Sequence, residues 1–469
     1  MFLHKQLIPL KTTQITHDSS THTWRKAFVM SVTLSLFIGL FSAGISAQAA
    51  MVAMQDGMPS ALAPVNQNPE ALARLTGNGI LIYAQKSQPY TLMTQRGPRY
   101  YPATNFHTAA IILPIPPDRI RETLSHYPGY VGLFPTLTKA TVLSKQANDT
   151  QVKYRIHVPV PIPLLSFNED VTLQHHLEAN SLTSLILDSP MPYGQGKFEW
   201  FPLKNGQTLV TLTEWGDLNV TKGFVISTIM KSVPEIKTGI LPSVNAFVLE
   251  SLRRRFSPDT HQAVQPVPQV IPVPHWQDED MAQLQRIQDQ SGSAVYFIHR
   301  PVLMSTQQQR AEKMHFVTTI DRMPAPLSVT KNALTDPVAY QKLFRQVNKV
   351  DVSPLPNNAG QDARIGIKLG LGILSIPFKL QLRYLNEGPT QIRYVATGGD
   401  IEYMVGRMTF EPLDTRSTRL IMTSSGKVGD KAPVLLRIGK SLPYYELMPT
   451  IGSAPIIMEK MKRYVKGLP

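Results

Sequence analysis

The stretch YVGLFPTLTKATVLSK, which starts at Tyr130, returns in altered form as YQKLFRQVNKVDVSPL at Tyr340. Four more pairs keep the same order. GILIY (79–83) matches GSAVY (292–296), and IHVPVPIPLLSF (156–167) matches IKLGLGILSIPF (367–378). GKFEWFPL (196–203) matches GRMTFEPL (406–413), and KSVP (231–234) matches KSLP (440–443). In chain order the offsets are 213, 210, 211, 210 and 209 residues. So small a drift means a duplicated domain with short loop insertions, and a period this long is not a solenoid of small units. Whatever one half folds into, the other must fold into as well.

Within a copy the elements follow a readable order. FHTAAIILPI (106–115) is an apolar strand. Two prolines then suit a helix first turn, with Ile120 and Leu124 at i and i+4. A short second helix follows at PGYVGLF. Several strands alternate in polarity, such as Val152, Tyr154, Ile156 and Val158, separated by turn signals. A helical pattern closes each copy, with Val244, Phe247, Val248 and Leu252 in the first and Ile457, Met461, Tyr464 and Val465 in the second. This order predicts an α+β fold: two tandem domains, each a curved antiparallel sheet around a long C-terminal helix. Pro234 and Pro443 predict a break in each closing helix.

The organisation is then residues 1–49, a flexible lead at 50–68, domain one at 69–256, a Pro-rich linker at 257–282, and domain two at 283–469. The linker carries prolines at 258, 266, 268, 272 and 274, a spacing that favours extended polyproline. Arg25 and Lys26 precede the uncharged run 27–47, and Ala47-Gln48-Ala49 has the form of a cleavage site. Residues 1–49 read as a secretory signal peptide or, uncleaved, as an inner-membrane anchor through 27–47. Both place the rest outside the cytoplasm, in a periplasm on this layout. Beyond residue 49 there are 43 basic and 32 acidic residues, a net charge of +11. For an exported protein that points to anionic lipid rather than nucleic acid. The chain has no cysteine, which excludes disulfides and thiolate chemistry.

YPGYVGLFPTLTKATVL (127–143) resembles the second-helix-to-strand phrase of the START-like (SRPBCC) superfamily, which includes polyketide cyclase/dehydrase-like and coenzyme-Q-binding-like proteins. The element order agrees over most of 100–256 and 312–469. Copy two departs at Arg345, where the family writes proline after Phe344. The resemblance implies a helix-grip fold with a deep hydrophobic cavity, in a superfamily of lipid carriers, receptors and enzymes.

On that basis the expected partner is a hydrophobic small molecule or lipid. The expected lining is Tyr154, Phe198, Trp200, Trp215 and Phe247 in copy one, and Phe378, Tyr394, Phe410 and Met461 in copy two. The uncharged runs 158–167 and 369–378 are either hairpins or greasy loops that touch a membrane transiently. A cyclase- or hydrolase-type enzyme is the alternative, with Glu214 or a cavity histidine as acid or base. His157, His175 and Asp188 lie on earlier strands, but copy two has Ser424 at the Glu214 position and Lys368 at the His157 position. A scaffold with collapsed cavities is a third reading. No metal, nucleotide or cofactor motif is present: His175 and His176 point to opposite faces of a strand, and no P-loop or H-E-x-x-H occurs.

Overall fold

The computed structural model describes residues 51–468 apart from 55–56, 160–165, 223–236, 260–263, 267–270, 306–310, 372–373, 435–436, 438–439 and 441–442. The segment read as an export signal, and Pro234, lie outside the described residues. Copy one has strands β1 (Ile80–Ala84), β2 (Gln88–Thr94), β3 (Gly97–Thr104), β4 (His107–Leu113), β5 (Leu137–Gln146), β6 (Asp149–Pro159), β7 (Ser166–Leu177), β8 (Ser181–Asp188), β9 (Gly194–Pro202) and β10 (Thr208–Gly216). Its helices are α1 (Pro69–Thr76), α2 (Pro117–Ser125), α3 (Tyr130–Leu133) and α4 (Lys237–Phe256). Copy two has β11 (Gln265–Pro266), β12 (Val295–Ile298), β13 (Val302–Ser305), β14 (Ala311–Met314), β15 (Val317–Met323), β16 (Val347–Pro354), β17 (Gly360–Leu371), β18 (Leu374–Asn386), β19 (Gln391–Gly399), β20 (Ile401–Asp414) and β21 (Ser417–Val428). Its helices are α5 (Asp278–Ser291), α6 (Leu327–Thr335), α7 (Tyr340–Leu343) and α8 (Met448–Lys466).

One sheet of sixteen strands carries both copies, in the order β16-β17-β18-β19-β20-β21-β15-β12-β1-β4-β10-β9-β8-β7-β6-β5. The copies join where β1 pairs antiparallel with β12, Ile80 opposite Ile298 and Ile82 opposite Tyr296. The repeated phrases GILIY and GSAVY supply this seam. Alternation along β1 then splits the core in two. Ile80 and Ile82 face the closing helices, packed in one cluster with Ala246, Leu249 and Leu252 of α4 and with Ile451, Met458 and Met461 of α8. Leu81 and Tyr83 face the other way, under Leu72 and Leu75 of α1 and Leu284 and Ile287 of α5. The two closing helices also meet each other. A methyl group on Gly239 would sit 2.6 Å from the Gly452 carbonyl oxygen, so this backbone approach requires glycine.

The repeated tyrosine phrase has a mechanical role. The Tyr130 hydroxyl donates to the carbonyl of Leu124 at 2.6 Å, and Tyr340 donates to Leu334 at 3.2 Å. In each copy the second helix is thereby tied to the last turn of the first, whose carbonyls have no partner within the helix.

Three sequence expectations need adjusting. The lead is not flexible where it is described: Val52 exchanges two hydrogen bonds with the Gln174 side chain, at 2.9 and 2.7 Å, and the Ala61 N–H donates to Glu199 at 2.8 Å. The described part of the linker is packed too. Ile271 is buried, the Trp276 indole donates to Leu75 O at 2.7 Å, and α5 starts at Asp278, inside the expected linker. The buried stripe of α4 is rotated from the expected one. Val244 is 38% exposed, whereas Asn245, Ala246, Leu249 and Leu252 are buried. Pro443 stands in the expected break: Val434 and Arg437 are helical before it, residues 443–447 form a turn, and α8 starts at Met448. The two uncharged runs sit at the ends of hairpins, with Pro159 opposite Ser166 and Leu371 opposite Leu374; residues 160–165 and 372–373 lie outside the described residues.

Candidate functional site

Residues directly opposite in a sheet share a face, so register shows which side chains meet. In copy one a single row crosses six strands. Thr150 on β6 lies opposite His175 on β7, His175 opposite Ser184 on β8, and Ser184 opposite Gly196 on β9. Gly196 lies opposite Glu214 on β10, and Glu214 opposite His107 on β4. Two residues along five of these strands, on the same face, stand Val152, Leu182, Phe198, Leu212 and Ala109, all in the cluster with α4. The row is therefore a polar band on the helix side, bordered by apolar side chains. Asn245 of α4 reaches it through its Nδ2, which donates to the His107 carbonyl at 3.1 Å.

The row has two halves of different chemistry. At the β4–β10 end, Glu214 Oε2, His107 Nδ1 and Asn245 Oδ1 are all out of water and have no hydrogen-bond partner. Burial pushes the Glu214 carboxyl up to about 8 and the His107 imidazole down to about 4, so both are neutral at pH 7. Each orphaned polar atom costs about 1–3 kcal/mol relative to a paired one, and three of them share this end of the row. At the β7–β8 end the groups are paired instead. His175 Nδ1 lies 2.8 Å from Ser184 Oγ, and its Nε2 lies 2.9 Å from the Tyr154 hydroxyl. Tyr127 stacks on the imidazole at 4.6 Å and 13°. His175 is 2% exposed, and its burial lowers its pKa to about 3.

Between the halves is Gly196. A methyl group there would be in ordinary contact with Glu214 Cγ at 3.7 Å, Glu214 Oε1 at 3.8 Å and Leu212 Cδ1 at 3.9 Å, so the space over this glycine takes a methyl group. Ser184, Gly196, Glu214 and His107 are each partly exposed.

Copy two runs the same row with different side chains: Gln361, Tyr384, Tyr394, Gly406, Ser424 and Val317, each opposite the next. Tyr384 and Tyr394 stand where copy one has His175 and Ser184. The Tyr394 ring lies over Gly406, and a methyl on that glycine would be 2.3 Å from its Cζ and hydroxyl. The same phenol reaches Ser424, the counterpart of Glu214. Tyr384, Tyr394, Gly406 and Val317 are buried. Ala454 stands in place of Asn245 on the closing helix. Copy two has filled with its own tyrosines the gap that copy one leaves open.

The expected lining residues fall into groups. Tyr154, Phe198 and Trp200 lie in the helix-side cluster of copy one, and Tyr394, Phe410 and Met461 in its continuation in copy two. Phe247 packs at its margin, 5.0 Å from the Tyr444 ring of copy two. Phe378 is buried opposite Ile367. Trp215 is on the other face of β10, one residue from Glu214, against Tyr101, Phe106 and Leu92. His157 bonds Asn168 at 3.3 Å, and Asp188 pairs with Lys222 at 3.2 Å, both away from the row. Sequence reasoning missed His107, Ser184, Gly196 and Asn245. The one available signal was Asn245, a polar residue inside the apolar pattern of a closing helix. Among the described residues no cluster could hold a metal ion, and no helix is long and apolar enough to cross a membrane.

The fold is a tandem of two curved antiparallel sheets, joined edge to edge and each packed on a long closing helix. No family model matches the chain, and no curated protein matches it. Among solved structures it is similar to the di-domain ARO/CYC protein BexL, at 12% identity over 78% of this chain and 99% of that one, with a TM-score of 0.24. It is also similar to a START superfamily protein from Mycobacterium smegmatis, at 14% identity over 33% of this chain and 99% of that one, with a TM-score of 0.26. A STAR-related lipid transfer protein from Xanthomonas axonopodis matches 38% of this chain and 95% of its own length, at 11% identity and a TM-score of 0.27. At such values ligand and chemistry have to come from the side chains themselves.

Proposed function

We propose that copy one binds a hydrophobic ligand, a lipid or isoprenoid with one neutral polar end, and that copy two is its structural support. The observation that carries this is the open row of copy one, set against the tyrosine-filled row of copy two. Apolar walls with a few convergent polar groups are the composition of a small-molecule site. In this reading the apolar body lies along Tyr154, Phe198 and Trp200, and the polar end completes Glu214, His107 and Asn245. The row contains no lysine or arginine, and its acid and imidazole are neutral at pH 7. A hydroxyl or carbonyl suits such a site, and a phosphate does not.

The rest of the proposed function follows from the sequence. The protein is exported to the periplasm, cleaved after Ala49 or anchored by 27–47, and carries its ligand between membrane surfaces. The hairpin ends at 158–167 and 369–378 are the membrane-touching parts. A carrier needs such contact, because each CH₂ moved from lipid into water costs about 0.8 kcal/mol. A periplasmic reporter fused after residue 60 tests export, and activity only in the cytoplasm would reject it. Vesicle flotation of a Leu164→Asp, Leu371→Asp double variant tests the contact, which is wrong if flotation is unchanged.

The binding reading is tested by native mass spectrometry with lipid extraction on protein purified from its own envelope. The expected result is one ligand equivalent per chain, lost in Gly196→Val and retained in Ser424→Ala. A ligand-free mass, with no uptake from liposomes, would reject it.

A further inference from the structure

The proposed ligand site leaves one feature of copy one unused: the chain Ser184–His175–Tyr154. A serine hydroxyl 2.8 Å from an imidazole whose other nitrogen is held at 2.9 Å by a third group is the arrangement of an activated nucleophile. Copy two holds the same strands together with Tyr384, Tyr394 and Ile365 at these places. The serine, unlike the histidine, is partly exposed, and it borders the gap over Gly196. On the far side of that gap stands Glu214. Two strand spacings, roughly 9–10 Å, separate the Ser184 and Glu214 backbones. Gly196, which stands between them, puts no side chain in that interval.

From this juxtaposition we propose that copy one is also an esterase or acyl hydrolase for esters of apolar acids or alcohols, with Ser184 as nucleophile, His175 as its base and Glu214 as donor to the oxyanion. The inference rests on the ligand site proposed above. With Ser184 donating to Nδ1, the Nε2–H donates to the Tyr154 oxygen, and Tyr127 stacked on the ring holds its plane. Ser184 Oγ attacks the ester carbonyl carbon while its proton passes to His175 Nδ1. The carbonyl oxygen becomes an oxyanion and accepts a hydrogen bond from the Glu214 carboxylic acid, which burial keeps protonated at pH 7. The tetrahedral species collapses, the C–O bond to the leaving alcohol breaks, and the alcohol departs with the proton from Nδ1. Water, the second reactant, then attacks the acyl-serine, with His175 again taking and returning a proton. The products are the free acid and the regenerated serine. Tyr154 is a positioning residue and touches no reacting atom in this scheme.

The test is covalent labelling of the full-length protein with an alkyl fluorophosphonate, followed by peptide mass mapping, with liposome uptake of ligand measured on the same samples. The expected result is a single label on Ser184, absent in Ser184→Ala. His175→Gln should label at least about a hundredfold more slowly, the usual worth of a general base. Tyr154→Phe should slow labelling several-fold and shift the pH profile of labelling, which a loss of packing alone would not do. Wild-type protein that takes up ligand but leaves Ser184 unlabelled overturns the hydrolase and leaves the binding reading standing. Protein that neither takes up ligand nor labels overturns both. A label that persists at the same rate in His175→Gln overturns the role of the base.

Discussion

The two copies differ most where they should differ least, in the middle of a shared sheet. On the back face they agree closely: Thr108 bonds Thr213 at 2.9 Å in copy one, and Thr318 bonds Thr423 at 2.7 Å in copy two. The helix-tying tyrosines agree too. One residue over, on the helix side, His107 and Glu214 face Val317 and Ser424 across the comparison, and His175 and Ser184 face Tyr384 and Tyr394. Copy two made the choice that favours stability, with large buried rings and no gap. Copy one keeps three polar atoms without partners, a cost that folding alone gives no reason to bear. Under the proposed function, the duplicated fold divides its labour, one half optimised to stand and the other to hold a ligand.

The comparison can be broken or sharpened at several points. The largest effect is expected from Tyr394→Ser, which empties the filled gap of copy two. It should cost about 3–5 kcal/mol, as for other buried ring deletions, read as a drop in the denaturant midpoint. A loss under about 1 kcal/mol would mean that the ring packs loosely and the gap was never filled. The reverse change, Ser184→Tyr, should block copy one. Ligand uptake is expected to fall at least tenfold, about 1.4 kcal/mol, with no loss of stability. Unchanged uptake would place the ligand elsewhere.

A third measurement concerns pH. The Glu214 carboxyl is raised to about 8 in the folded protein, so between about 4.5 and 8 the folded state holds a proton the unfolded state has lost. Stability therefore falls as pH rises through that window, by at most about 1.4 kcal/mol per pH unit. His107 has the opposite sign. It is lowered to about 4, so stability falls as pH drops from about 6.5 to 4. The two oppose each other below 6.5, and Glu214 prevails between 6.5 and 8. Glu214→Gln should flatten the stability curve there, whereas Ser424→Ala in copy two should leave it alone. An equal slope in wild type and Glu214→Gln would show that the carboxyl titrates normally. The smallest effect is expected from the tyrosine ties. Tyr130→Phe should cost about 1–2 kcal/mol and Tyr340→Phe, with its longer bond, about 0.5–1, by chemical denaturation. A reversed order would mean that bond length does not rank the two ties.

Much of this was legible in the chain. The duplication, the strand–helix–helix–strands–helix order, the closing helices and the buried aromatic residues Tyr154, Phe198, Trp200 and Phe410 all follow from repetition and alternation along neighbouring residues. Glu214 was legible as a candidate because a carboxylate on an apolar strand is unusual. Its company was not. Helix phase misled by one position: apolar spacing chose Val244, but packing turned Asn245 inward, because α4 must also meet α8 through Gly239.

What the sequence determined by itself is therefore local and periodic: where each strand and helix lies, and that every element occurs twice. The row was decided only by tertiary structure. It runs across the strands, joining His107 to Glu214 and His175 to Ser184, and its members are set by hydrogen-bond register between strands. Register depends on turns, bulges and the packing of both faces at once, and a shift of one residue would turn each side chain to the opposite side. No pattern along the chain encodes that choice, so the difference between an open copy and a filled one appears only when the sheet is assembled.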